Sequence, residues 1–216
     1  MIGALAHRMM RLKDDTSGLA LLEFAFILPV FLTLCLTGAE MTNYITTKMR
    51  ISQLALHLAD NAARMGTGSQ LTAKTISESD IDDLFTGAQL QSSELDLRTN
   101  GRVILTDLEQ DPNNAGKYKI GWRRCYGLKT SYVRKYPDNP STSALTNLPG
   151  IGPSGRQVTA LSSNPTMFVE VFYTYVPLVG GSLAPTTTFT EIASMAVRDR
   201  RDLTQIYNTT YPLINC

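Results

Sequence analysis

Residues 18–39 read GLALLEFAFILPVFLTLCLTGA, and this stretch decides how the rest of the chain is organised. From Leu19 to Ala39 every residue is apolar or small, with the single exception of Glu23. A helix rises about 1.5 Å per residue, so this stretch would span about 31 Å, close to the hydrocarbon thickness of a bilayer. The stretch therefore predicts a membrane-spanning helix.

Basic residues ahead of the apolar stretch indicate its orientation. Four of them lie within the first 17 residues: His7, Arg8, Arg11 and Lys13. An excess of basic residues beside a span favours the cytoplasmic side of the membrane. We therefore expect a single-pass inner-membrane protein whose C-terminal domain is periplasmic.

Two simpler interpretations of the span compete with each other. A secretory signal peptide has an apolar core of about 7–15 residues followed by a small-residue cleavage site. This run is longer, although Leu36–Ala39 resembles such a site. A plain signal anchor fits the length but does not explain Glu23, because a charge at bilayer depth costs about 2.5–3.5 kcal/mol or more.

Composition agrees with an exported, anchored protein of one domain beyond the anchor. The chain has 216 residues and a formal net charge of +1, which argues against a nucleic-acid partner because a phosphate-binding face needs a basic excess. Cys35 lies in the span, whereas Cys125 and Cys216 follow it. Two exported thiols usually pair, so a Cys125–Cys216 disulfide is expected.

The helical pattern continues beyond the span. Apolar residues recur at spacings of three and four in the sequence that follows: Ile51, Leu54, Ala55, Leu58, Ala62 and Met65. We expect one helix over residues 19–65, membrane-embedded over about 19–39 and amphipathic afterwards. Gly66–Gly68 is predicted to end it.

Residues 66–216 are predicted to form an external domain that begins with a short helix. Residues 79–85 are acidic and favour a helix capped by Ser77 or Ser79. The acidic cluster lacks the glycine and glutamate positions of a calcium-binding loop, so a capped helix end is the better interpretation.

Period-two patterns in the same domain predict antiparallel strands. Residues 95–98 and 102–108 alternate around Asn100-Gly101, the favoured tight-turn dipeptide, and residues 117–126 predict the next strand of a meander. We expect an α+β fold in which the long N-terminal helix packs on this antiparallel sheet.

The remaining sequence predicts a long loop between two more strands. Residues 127–165 are interrupted by proline and glycine, and we interpret them, including Gly150–Gly155, as an irregular surface loop. Residues 167–176 are rich in β-branched and aromatic side chains, and residues 186–198 alternate. Both therefore favour strands.

The inventory of reactive side chains argues against an enzyme. The two histidines, His7 and His57, both lie near the N-terminus, so no histidine triad or metal cluster is expected in the external domain. Glu170 and Glu191 fall on neighbouring predicted strands and are the candidates for an acid–base pair. Charged partners on a solvated face are commoner, and we predict no catalytic residue, cofactor or metal.

The N-terminal segment resembles the processing site of prepilins. A short basic leader ends in Gly18, an apolar helix starts at Leu19, Glu23 is its fifth residue and Pro29 follows. This combination is similar to the TadE/TadF pseudopilins of tight-adherence (Tad) pili. The phrases FVEVFYTYVPL (168–178) and EIASMAVRDR (191–200) resemble the C-terminal half of the same family.

The resemblance implies a minor pilin or pseudopilin of a Tad-type pilus or secretion apparatus. Residues 1–18 would be a cytoplasmic leader that a prepilin peptidase removes between Gly18 and Leu19. Glu23 would serve assembly, and the partners would be other pilins and the Tad assembly platform, in the inner membrane or in an extracellular pilus. The alternatives are an anchored periplasmic binding or scaffold protein and, less favoured, an anchored envelope hydrolase with paired carboxylates.

Overall fold

The computed structural model describes residues 18–69, 72–136, 145–162, 164–179, 184–207 and 216. The predicted leader therefore lies, apart from Gly18, outside the described residues. The chain divides into two compact units. The helical unit comprises Met1–Tyr44 and Pro177–Ala184, and the sheet unit comprises Ile45–Val176 and Pro185–Cys216.

The long N-terminal helix is present. Helix α1 runs over Leu19–Arg64, 46 residues with Pro29 inside it. Its second half carries the predicted apolar face, because side chains at the expected spacings are buried in the sheet unit: Ile51, Leu54, Ala55, Leu58, Ala59 and Ala62. Gly66 follows with φ +104°, and a Cβ there would lie 2.7 Å from the carbonyl oxygen of Thr75, so this stop requires glycine.

The predicted acidic helix is longer than expected. Helix α2 covers Glu78–Ser92 and begins at a capping box. The Ser77 hydroxyl accepts from the backbone N–H of Asp80, while the Asp80 carboxylate accepts from the N–H of Ser77 at 2.8 Å. The buried face of α2 includes Ile81 and Phe85 within the predicted range and Ala88 beyond it.

The predicted strand over residues 95–98 is wrong. Ser93–Leu95 forms a 3₁₀ turn and Leu97–Asn100 a short helix, α3. Asp96 caps α3 through the N–H of Thr99, and the side chain of Gln89 in α2 accepts from the N–H of Arg98 at 2.8 Å. Because these polar groups satisfy the backbone locally, Asn100-Gly101 joins a helix to a strand instead of turning a hairpin.

In the described part of the chain, four antiparallel strands form a sheet in the order β2-β1-β3-β4. Their bounds are β1 Gly101–Gln110, β2 Tyr118–Tyr126, β3 Thr166–Thr174 and β4 Thr188–Ala196. The chain is thus α+β, but the order is not the simple meander expected, since β3 pairs with β1 across the long insertion. Strands β1 and β3 are central and buried on both faces.

The described parts of the insertion 127–165 are irregular as predicted, yet its glycine-rich part is not a surface loop. Ile151 pairs with Val158 through two backbone hydrogen bonds of 2.9 and 2.8 Å. This pairing carries Ile151, which is fully buried, into a cluster with Leu108 and Phe168 of the sheet. The prediction failed because three glycines dominate the local pattern and hide one core residue.

Candidate functional site

The first half of α1 presents a continuous apolar surface. Its large side chains are all exposed, with Leu21 at 73% and Phe26 at 71% of their full area. This length and composition suffice to cross a membrane, a property that membrane anchors and signal sequences share. An exposed apolar surface of this extent is unusual for a protein surface in water and indicates a partner, either lipid or protein.

The hydroxyl groups of the span are satisfied within the helix. Thr33 donates to the carbonyl oxygen of Pro29 at 2.7 Å, and Thr37 donates to that of Thr33 at 2.7 Å. Hydroxyls bonded one turn back in this way do not require water. The span is therefore chemically suited to an apolar environment, with Glu23 as its exception.

Glu23 is exposed on the second turn of α1. Within the described part of the chain its carboxylate forms no ion pair or hydrogen bond with another residue. Leu19 lies one helical turn before it, and residues four apart share a face of a helix. A cation placed beside Leu19 would thus face the Glu23 carboxylate.

Gly18 stands at the start of the helix, where its carbonyl oxygen accepts from the N–H of Leu22 at 3.1 Å. It is exposed, and a Cβ at this position would meet nothing within 4 Å. Packing in the described structure therefore does not require glycine at position 18.

A second carboxylate marks the end of the span. Glu40 is fully buried, and one of its oxygens accepts from the backbone N–H groups of Leu178 at 2.8 Å and Val179 at 2.9 Å. All three residues belong to the helical unit. Sequence reasoning missed this contact, because its partners are backbone groups 138 and 139 positions away.

The disulfide expected between the two cysteines outside the span is present. Cys125 of β2 is bonded to Cys216, with the Cα atoms 5.2 Å apart. Cys35 is a free, exposed thiol on α1. The bond joins the last residue to the edge strand of the sheet.

The candidate acid–base pair does not form. Glu170 faces Ile192 in the register of β3 and β4, whereas Glu191 faces Val171. Adjacent residues of a strand point to opposite faces, so the two carboxylates lie on different sides of the sheet. Glu170 is buried and accepts from the N–H of Lys135 at 2.8 Å; burial, opposed by that hydrogen bond, raises its pKa to about 7.

A different carboxylate pair lies on β1. Asp107 and Glu109 share one face, and both crowd Gly121 of β2, where a Cβ would collide with Glu109 Oε1 and lie 2.7 Å from Asp107 Oδ2. Lys119 Nζ lies 2.8 Å from Glu109. Burial, and then the charge of Glu109, raise the pKa of Asp107 well above its ordinary value. The alternation Asp-Leu-Glu was the sequence signal for this pair.

Glu109 and Gly121 border a cavity of about 370 Å³. Its lining includes Glu78 and Arg124, whose side chains form a buried ion pair. Among the described residues no group of three or more histidine, cysteine or carboxylate side chains is arranged to hold a metal ion. Ion pairs account for Glu109 and Glu78, whereas neither carboxylate oxygen of the buried Asp107 has a hydrogen-bond partner among the described residues.

Comparisons with protein-family models, with curated proteins and with solved structures found no match to this chain.

Proposed function

We propose that this chain is a minor pilin, or pseudopilin, of a Tad-type pilus or secretion apparatus. The observation that carries the proposal is the start of α1. There Glu23, which has no partner among the described residues, follows five positions after a glycine that packing does not require, and an exposed apolar helix continues from it. A plain anchor needs neither residue, whereas a processed and assembled subunit uses both.

Processing would create the missing partner of Glu23. A prepilin peptidase would hydrolyse the bond between Gly18 and Leu19, leaving a carboxylate on Gly18 and an α-amine on Leu19. In its ammonium form that amine carries the charge opposite to that of the Glu23 carboxylate. It lies one helical turn from Glu23, and the pair lowers the cost of the carboxylate in an apolar environment.

Assembly would then depend on which ammonium group Glu23 contacts. The amine of the same chain is one source, and the amine of a neighbouring subunit is the other. In the second case each added subunit neutralises the carboxylate of its neighbour. The exposed apolar side chains of α1 would pack against the helices of other pilins, and the sheet unit would form the periplasmic or extracellular surface. The subunit would be non-catalytic.

The alternative is a single-pass anchored scaffold or binding protein that never enters a pilus. It accounts for the exposed span but gives Glu23 no role beyond lying near the cytoplasmic membrane surface. An anchored hydrolase is supported less, because Glu170 and Glu191 lie on opposite faces of the sheet.

Glu23→Gln tests the assembly role. The variant keeps the shape of the side chain and removes its charge, so the protein should fold and reach the membrane at wild-type levels while its co-purification with other pilins falls sharply. Glu94→Gln is a matched control, because Glu94 is exposed and its side chain makes a surface ion pair with Arg50 at 3.7 Å. Wild-type incorporation of Glu23→Gln into pili would exclude this role for Glu23.

A further inference from the structure

The hydrogen bonds of Glu40 fix Leu178 and Val179, which are distant in the sequence, to α1 at the end of the apolar span. The apolar span ends at Ala39, so Glu40 is the first residue beyond it. Its buried carboxylate holds two consecutive N–H groups of the segment Pro177–Ala184. A carboxylate bonded to two backbone donors is stabilised by charge-assisted hydrogen bonds and tolerates an environment without water.

The segment itself is apolar and exposed where the structure describes it. Pro177–Ala184 contains no charged residue. Leu178 is 67% exposed and Val179 is 38% exposed, and Met41, next to Glu40 on α1, is 39% exposed. Single exposed apolar residues are common on protein surfaces. Here they occur on both elements that Glu40 joins, at the end of the span.

We propose that residues 177–179 insert into the headgroup–hydrocarbon interface of the bilayer that α1 crosses. The inference rests on the membrane anchoring included in the proposed function. Lipid is the expected occupant because the exposed side chains continue the apolar surface of the span. Glu40 is the positioning residue, since its hydrogen bonds hold Leu178 and Val179 at the level where the span ends.

Tryptophan depth measurements test the insertion directly. The chain has a single tryptophan, Trp122, so Trp122→Phe provides a silent background. Leu178→Trp in this background would be placed in nanodiscs whose lipids carry bromine either near the headgroup or deep in the acyl chain. We expect quenching, stronger with the shallow bromines, and an emission maximum shifted to shorter wavelength.

Two matched variants distinguish failure of the proposed insertion from failure of the proposed function. Phe26→Trp lies in the apolar span and should be quenched by the deep bromines, whereas the exposed Leu128→Trp, beside Lys129 in the sheet unit, should not be quenched. If Leu178→Trp is as unquenched as Leu128→Trp while Phe26→Trp is quenched, the insertion is wrong and the anchor stands. If Phe26→Trp is also unquenched, the anchor and the proposed function are wrong.

Glu40 variants test the positioning. Glu40→Ala should lose most of the quenching at position 178, while Glu40→Gln, which keeps an acceptor oxygen, should retain more of it. Equal quenching in wild type and Glu40→Ala would exclude a positioning role for Glu40. A blue-shifted but unquenched Leu178→Trp would mean that protein, such as a second copy of the chain, covers the segment, and would overturn the proposal. Should Trp122→Phe not fold, Leu178→Cys with an environment-sensitive label in a Cys35→Ser background gives the same comparison.

Discussion

Arg201 donates hydrogen bonds to the C-terminal end of helix α1, from which it is distant in the sequence. Its Nη2 donates to the carbonyl oxygen of Ala63, 138 positions earlier, at 2.9 Å, and the same guanidinium donates to the carbonyl oxygens of Ala62 and Met65. The last carbonyls of a helix carry a partial negative charge, so a buried guanidinium is favourable there. The charge of Asp107 in β1 also acts on this guanidinium.

We predict that Arg201→Gln lowers the free energy of unfolding by about 3 kcal/mol, because it removes charged hydrogen bonds and leaves buried acceptors unpaired. Arg200→Gln is the control, since Arg200 is exposed and carries the same charge. Urea denaturation of the detergent-solubilised protein, followed by circular dichroism, measures both. Equal stability of the two variants would contradict the helix-capping role of Arg201.

The dependence of the free energy of unfolding on pH should reflect the titration of Glu170. Its pKa is raised from 4.5 to about 7, chiefly by burial. The folded chain therefore holds this proton more tightly than the unfolded chain, and the contribution of Glu170 to stability falls as the pH rises from about 4.5 to 7. The fall amounts to roughly 3 kcal/mol.

Glu170→Gln should remove that decrease, so its stability relative to wild type should be greater at pH 8 than at pH 5. Glu191→Gln, on the opposite face of the sheet, should keep the wild-type slope. Denaturation midpoints of wild type and both variants at pH 5 and pH 8 test this prediction. A wild-type slope in Glu170→Gln would show that another group is responsible.

The Cys125–Cys216 disulfide should stabilise the sheet unit. It closes a loop over a sequence separation of 91, for which the chain-entropy model gives roughly 4.6 kcal/mol as an upper value. The double variant Cys125→Ser/Cys216→Ser should unfold at a lower denaturant concentration, and Cys35→Ser, at an exposed position, should not change the midpoint. Peptide mapping that finds both cysteines alkylatable without reductant would contradict the bond.

Sequence patterns predicted the elements that a hydrophobic pattern marks over many consecutive residues. The span follows from an unbroken apolar run, the amphipathic half of α1 and strands β2 and β4 from periodic patterns, and β3 from a run of β-branched and aromatic residues. Residues 95–98 were misassigned because the side chains of Asp96 and Gln89 satisfy the backbone of a short helix. A weak alternation over four residues does not outweigh such contacts.

The candidate site was predictable only in part for a related reason. Gly18 and Glu23 can be recognised in the sequence because each differs in chemical character from the residues beside it. Glu40 and Arg201 do not stand out, since each bonds to backbone groups more than a hundred residues away, and a backbone group has no sequence signature. The register of β3 and β4, which separates Glu170 from Glu191, is likewise a property of the folded sheet.

Gly18→Val should separate recognition by a peptidase from folding. Space around position 18 is open, so the larger side chain should leave the fold and the membrane level unchanged. A peptidase that reads the glycine should cut this variant poorly, and the full-length chain should accumulate, as a mass shift on a gel shows. Normal processing of Gly18→Val would mean that the glycine is not read.

The N-terminal sequence of the wild-type protein, extracted from membranes of cells that produce it with its prepilin peptidase, tests the central claim most directly. The pseudopilin account predicts a chain that begins at Leu19, with Glu23 as its fifth residue. A chain that begins at Met1, or one cut near Ala39, would contradict it.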